Sequence, residues 1–223
     1  MSMDDRVRRA VVAGTLGALS IFLGLTRLGF IPWFAGAALT IMHVPVIIGA
    51  VIEGPVVGLI VGILFGVTSL FQAAVAPVGA FDPFFTNPVV SILPRLFIGP
   101  VAWFVFRAIR SRNIAVGAVV AGIVGSITNT VLVLGSLGLV YGGAILGLMQ
   151  QFELGDSLLA FFGGIAVANG LPEAGLSAVI TLAVVGAWRL TAAGKRTVAG
   201  WSGRDESLSR DREESSGPSA GDA

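Results

Sequence analysis

The chain has 223 residues, 55% of them hydrophobic and 12% charged, with a mean hydropathy of +0.90; that balance excludes an ordinary soluble domain and defines a polytopic membrane protein. A formal net charge of +1 gives no footing for a nucleic-acid partner, and the lack of cysteine excludes disulfides, thiol chemistry and cysteine-ligated metal. At about 20 residues per span, roughly six helices fit, so the expectation is one all-α membrane domain over residues 1–200 and a polar tail over residues 201–223.

The apolar runs lie at about Ala10–Thr26, Ala37–Ile52, Pro55–Ala73, Val89–Phe106, Ile114–Leu137 and Pro172–Leu190. Arg6, Arg8 and Arg9 precede the first, whose Gly- and Ala-rich face and lack of a clear cleavage pattern predict an anchor helix rather than a signal peptide. Glu53, in the tight turn before the third run, reads as an interfacial charge. Gly54, Gly58, Gly62 and Gly66 then recur every fourth residue, which places them on one helix face. Each weakens a helix by roughly 1 kcal/mol relative to alanine, but in lipid a small-xxx-small face lets backbones approach closely. The ladder therefore predicts a membrane helix that docks tightly against something.

Arg107, Arg110 and Arg112 join the fourth run to the fifth, and Arg189, Lys195 and Arg196 follow the sixth. If six helices alternate, these places share one side with the N-terminus, and the positive-inside rule makes that side cytoplasmic for both termini. Residues 138–169 carry the apolar stretches ILGLM and SLLAFFGGIAVA. They are expected to form one or two helices on or in the outer membrane face, with a break at Pro172, since proline is favoured in a first helical turn and costly further in. The alternative is one bent, overlong sixth helix that includes Leu158 to Ala168. The tail from Trp201 on is polar and rich in Ser and Gly, which predicts disorder.

Polar residues within the runs collect at one depth. Arg95 falls roughly 10 Å below the outer end of helix four and Asn129 roughly 12 Å below that of helix five. His43, Gln72, Asn169 and Glu173 lie near the same level, so together these six outline an outward-facing polar cup. An ionisable group there costs at least ~2.5 kcal/mol, and it usually faces a partner, water or a ligand. Each has a plainer reading: Arg95 paired with Glu173 or reaching to headgroups, the asparagines bonding helix to helix, and His43 as a packing residue. Phe30, Trp33, Phe81, Phe84 and Phe85 fit an interfacial aromatic belt, or caps over an organic solute. One histidine without a second His or Cys makes no metal site. No Walker loop, nucleophile elbow or HExxH is present, so neither an enzyme nor a cofactor is expected.

The blocks TIMHVPVIIGAVIEGPVVGLIVGILFGVTSL, NPVVSILPRLFIGPVAWFVFR and NGLPEAGLSAVI, in that order, resemble the substrate-binding S components of energy-coupling factor (ECF) vitamin transporters over roughly residues 10 to 190. The resemblance implies six helices in the plasma membrane of a prokaryote. It also implies capture of a water-soluble vitamin from outside, and union with an energising module of one transmembrane coupling protein and two ATPases. Ala10, Gly14 and Ala18 on helix one, with Gly54 and Gly58, would then face the coupling protein. Substrate contacts would fall to Arg95, Asn129, Asn169, Glu173, His43, Gln72, Trp33 and Phe85. The blocks are most similar to the pantothenate branch, with the hydroxymethylpyrimidine (thiamine), folate and riboflavin branches as alternatives. Arg95 offers the planar cationic fork that a carboxylate wants. An autonomous secondary transporter or channel is the rival class; it would show internal repeats and intramembrane carboxylates, and Glu173 alone is of that kind.

Overall fold

In lipid every backbone polar group must be satisfied within the protein, and helices do this residue by residue. The computed structural model describes residues 3–26, 28–32, 38–77, 81–191 and 193–201. They form α1 (Met3–Leu25), a two-stranded antiparallel hairpin of β1 (Phe30–Pro32) and β2 (Ala38–Thr40), α2 (Val44–Glu53) and α3 (Pro55–Val75). A 3-10 turn (Asp82–Thr86) leads to α4 (Pro88–Ser91), α5 (Leu93–Arg110) and α6 (Ile114–Gln151). Next come α7 (Leu158–Ile165), a π-helical turn (Ala166–Gly170) and α8 (Leu171–Leu190), with a short helix, α9, over residues 193–201. The protein is an all-α polytopic membrane protein, with five helical stretches long and apolar enough to cross a bilayer.

The second apolar run departs from its expected course. Ala38–Thr40 is a strand, and the helix starts only at Val44, where Pro45 suits a first turn. Ten residues of α2 extend about 15 Å, half of a hydrocarbon core of about 30 Å. All ten are buried, because α2 stands at the centre with α1, α3, α5, α6 and α8 packed around it. A helix that is apolar all round is a buried helix.

Two further expectations change. The fifth run does not end at Leu137: α6 continues to Gln151, bending at Tyr141, whose φ of −124° and ψ of 15° precede Gly142 and Gly143. Nor does Pro172 break the chain, since residues 158–190 form one continuous helical stretch of 33 residues. Proline cannot donate to the carbonyl four residues back. The π turn immediately before it rearranges that bonding, which is how lipid-embedded helices accommodate proline. The bent, overlong sixth helix is the correct reading.

The glycine ladder also changes meaning. Gly54 takes a φ of +105° in the turn between α2 and α3, a conformation that side chains disfavour. Gly58 lies against this chain's own helices: an added Cβ would come within 2.6 Å of Ala50 Cβ and 2.9 Å of Gly99 Cα. At Gly62 it would strike the Arg95 carbonyl oxygen, and at Gly66 it would lie 2.8 Å from Ile92 Cα. Gly58, Gly62 and Gly66 thus dock α3 onto α2, α4 and α5, and Gly58 has no free face for a partner, whereas a Cβ at half-buried Gly54 would meet only Trp103 Nε1, at 3.9 Å. Ala10, Gly14 and Ala18 are different: all three are exposed on α1, and a Cβ at Gly14 would meet nothing within 4 Å.

At the arginine-rich end, Glu53 is not an exposed interfacial charge. It is buried and receives Arg8 Nη2 at 3.1 Å in an ion pair, while Arg8 Nη1 reaches Thr197 Oγ1 at 3.5 Å. Trp201, expected to begin the disordered tail, is buried at the end of α9 against Phe106 and Trp188, with the Arg110 guanidinium 4.6 Å from its ring centroid. The remaining tail, 202–223, lies outside the described residues, as does Ala37.

Overpacking a close helix contact costs about 1–3 kcal/mol. Gly58→Leu should therefore lower the thermal-unfolding midpoint in detergent by that much stability. Gly14→Leu, in open space, should stay within about 0.5 kcal/mol of the unmodified chain.

Candidate functional site

Proline and glycine chemistry places the central cation of the site. Pro94 has no N–H for the Val90 carbonyl four residues before it, so that carbonyl is left open where α4 meets α5. Arg95 Nη1 donates to it at 2.6 Å. The backbone of Arg95 is held by the close approach of Gly62, and its guanidinium sits 5.2 Å from the Phe65 ring centroid and 5.5 Å from that of Phe85. Both are cation–π distances. Arg95 is 5% exposed, its Nε has no partner, and no carboxylate pairs with it among the described residues. The expected alternative of an Arg95–Glu173 lock is not what the structure holds.

Arg95 faces a cavity of about 240 Å³ at the end of the bundle opposite the arginine-rich end. Ligand pockets usually measure about 300–1,000 Å³, so the natural occupant is small. Asn129 from α6, Asn169 from the π turn, Glu173 from α8 and Phe85 from the 3-10 turn line the same space. Five of the eight expected contact residues thus converge. Asn129 Oδ1 and Asn169 Oδ1 are buried without partners, each able to accept from a ligand N–H or O–H. Glu173 is buried and its Oε1 accepts from the Thr40 N–H at 2.6 Å, so its carboxylate ties α8 to the hairpin rather than to Arg95.

The other three expected residues do not join the lining. His43 is fully buried at the start of α2, with both ring nitrogens unpartnered, but it does not line the cavity. Gln72 donates to the Gly24 carbonyl at 3.1 Å and fastens α3 to α1. Trp33 lies outside the described residues. Among the described residues no group of three His, Cys, Asp or Glu could hold a metal.

Sequence reasoning missed Thr40 and the apolar wall. Phe65, Val133, Leu134, Leu137, Phe161, Phe162 and Ile165 surround the polar groups, joined by Phe81 from the second connection. Phe81 packs on Phe161 at 5.8 Å and Phe84 on Tyr141 at 4.8 Å between ring centroids, which gives the mouth an aromatic rim. The Phe161-Phe162 pair was visible in SLLAFFGG, but only the bend of the 158–190 stretch turns it over the cavity. The set combines one fixed cation, one carboxylate, neutral amides and apolar walls. Such a combination suits recognition of a small polar solute.

The chain matches the family model for the substrate-specific component of ECF transporters over residues 8–185. It belongs to that family, and is therefore a transporter protein of the membrane. It is 31% identical over 161 residues to the pantothenic acid transporter PanT of Lactococcus lactis subsp. cremoris, covering 66% of this chain and 75% of the relative. It is also 27% identical over 164 residues to the pantothenate transporter PanT of Leuconostoc mesenteroides subsp. mesenteroides, covering 71% of this chain and 80% of that one.

An unpaired buried cation is costly to a fold. Arg95→Met, close in length and uncharged, should raise the unfolding midpoint of the ligand-free protein by about 1–3 kcal/mol of stability in a detergent melt. A lower midpoint would make Arg95 a structural tie instead.

Proposed function

We propose that this chain is the pantothenate-capturing S component of an ECF transporter: it binds the vitamin from outside and delivers it inward with a transmembrane coupling protein and two ATPase subunits. The observation that carries the reading is the buried Arg95 guanidinium, set beside two phenyl rings on a small cavity and paired with no carboxylate among the described residues. Pantothenate is a flexible hydroxy-amide with one carboxylate. Arg95 binds that carboxylate, Asn129 and Asn169 serve the amide and hydroxyls, and Phe85 closes over the apolar middle. A cavity of about 240 Å³ supports a solute of this size over a fused-ring flavin or pterin. The two relatives, both named as transporters of this vitamin, support the same choice.

The partner reading rests on family membership and on the exposed small face of α1, Ala10, Gly14 and Ala18, which admits close approach of another helix. The basic end, with Arg6, Arg107, Arg112, Arg189, Lys195 and Arg196 exposed, supports a prokaryotic plasma-membrane orientation with both termini cytoplasmic.

Truncating one side of a buried charge pair costs about 2–5 kcal/mol, so Arg95→Ala should weaken pantothenate binding at least ~30-fold by calorimetry. Pantothenol, which has an alcohol in place of the carboxylate, should bind the unmodified protein with a comparable deficit. Pantothenate binding that survives Arg95→Ala undiminished would remove the cation from the site. For the partner surface, Gly14→Leu should leave binding by the isolated protein intact and abolish most vitamin uptake by the assembled complex in proteoliposomes; equal uptake would exclude that face.

A further inference from the structure

His43, the single histidine of the chain, is fully buried at the start of α2 and takes no part in lining the cavity. Both of its ring nitrogens lack partners. A buried polar group without a hydrogen bond is costly, so two on one ring require an explanation. Helix register supplies a neighbour. An added Cβ at Gly62 would strike the Arg95 carbonyl oxygen and lie 3.6 Å from Val46 Cγ1, so Val46 stands beside the Arg95 backbone. His43, with helical φ and ψ of −78° and −17°, comes three residues earlier and shares that face of α2 one turn nearer the cavity end. The Arg95 side chain runs the same way, back toward the Val90 carbonyl that receives its Nη1. His43 lies close enough to feel the Arg95 charge.

Arg95 carries a matching orphan, since its Nε–H is buried without an acceptor. A neutral imidazole has one accepting nitrogen and one N–H. Donor and acceptor are complementary but do not touch, the situation in which one buried water makes both bonds. Ser126 on α6 and Ser177 on α8, helices that also pack on α2, hold buried hydroxyls without partners, which suit the remaining imidazole N–H.

We propose that His43 is the positioning residue for Arg95: its unprotonated nitrogen receives the Arg95 Nε–H through one bound water, and so sets which edge of the guanidinium faces the cavity. This deepens the vitamin reading and rests on it for the identity of the ligand. With Nε held by His43 and one N–H of Nη1 held by Val90, the second N–H of Nη1 and both of Nη2 remain. They form the end-on fork that grips both oxygens of a carboxylate. A guanidinium free to turn would lose affinity for the anion and keep its affinity for an uncharged analogue.

The test uses two readouts on the full chain. In the first, calorimetry gives the preference for pantothenate over pantothenol in the unmodified protein, His43→Leu, His43→Asn and His43→Gln. A hydrogen bond to a charged group is at stake, so His43→Leu should lower that preference roughly tenfold, with pantothenol bound as before. One of the amide variants, whose oxygens replace one ring nitrogen or the other, should keep most of it. A preference unchanged in His43→Leu, or lowered as far by both amide variants, overturns the positioning role; so does an equal loss for both ligands, which marks mere packing. In the second, the isotope-labelled imidazole nitrogens of the single histidine are followed by NMR in the ligand-free protein. Arg95→Met should move the unprotonated nitrogen downfield, as a lost hydrogen bond does, and leave the protonated one near its place. No movement, or equal movement of both, overturns the link. If the unmodified protein does not bind pantothenate, the vitamin reading falls, while the spectra still decide whether His43 holds Arg95.

Discussion

The contact between α3 and α5 is the constraint from which the rest of the site follows. Gly58 meets Gly99, Gly62 meets the Arg95 carbonyl and Gly66 meets the backbone at Ile92, so no side chain separates the two helices along this seam. In lipid there is little hydrophobic gain in bringing helices together, and close backbone contact supplies the attraction instead. A seam of that kind also fixes position, because a packed interior does not yield by a methyl group without strain. Arg95 leaves from the middle of it. Its depth and direction are consequences of backbone fit, and Pro94 adds the open carbonyl that anchors the guanidinium.

The two ends of the bundle treat their buried charges in opposite ways. At the basic end Arg8 and Glu53 are paired, and Thr197 and Trp201 close over that end, binding α9 to the bundle. In the cavity Arg95 and Glu173 stand apart, each held by backbone groups of its neighbours. A paired charge has its compensation inside the fold. A separated one has only part of it. On the proposed reading the remainder comes from the ligand, so the same residue types serve structure at one end and recognition at the other, and spatial partnership alone distinguishes them.

Much of this was legible in the chain. Composition gave the membrane class, the arginine clusters gave a shared end, and the rare polar residues within apolar runs gave Arg95, Asn129, Asn169 and Glu173, because lipid penalises such groups unless something answers them. His43 and Gln72 satisfied the same criterion and yet lie off the cavity. Depth follows from residue number, but azimuth around a helix depends on how neighbours pack. Pro172 misled for a related reason: a local preference for helix starts carried no information about the π turn that accommodates it. Thr40 left no trace at all, since its contribution is a backbone N–H.

Sequence alone determined that these helices lie in a membrane, that one of them needs close backbone contact, and that a few charged and amide groups lie deep without an obvious purpose. Those are properties of single segments and follow from transfer energies and helical periodicity. Only the tertiary structure decided where the contacts go: the glycine ladder turns inward, α1 keeps its small face free, and α2 is enclosed on every side. It also decided that Arg95 and Glu173 line one cavity without meeting. Which groups share a space depends on helix rotation and on bends at Tyr141 and the π turn. Those are set by many weak packing contacts at once, and no local stretch of residues encodes them.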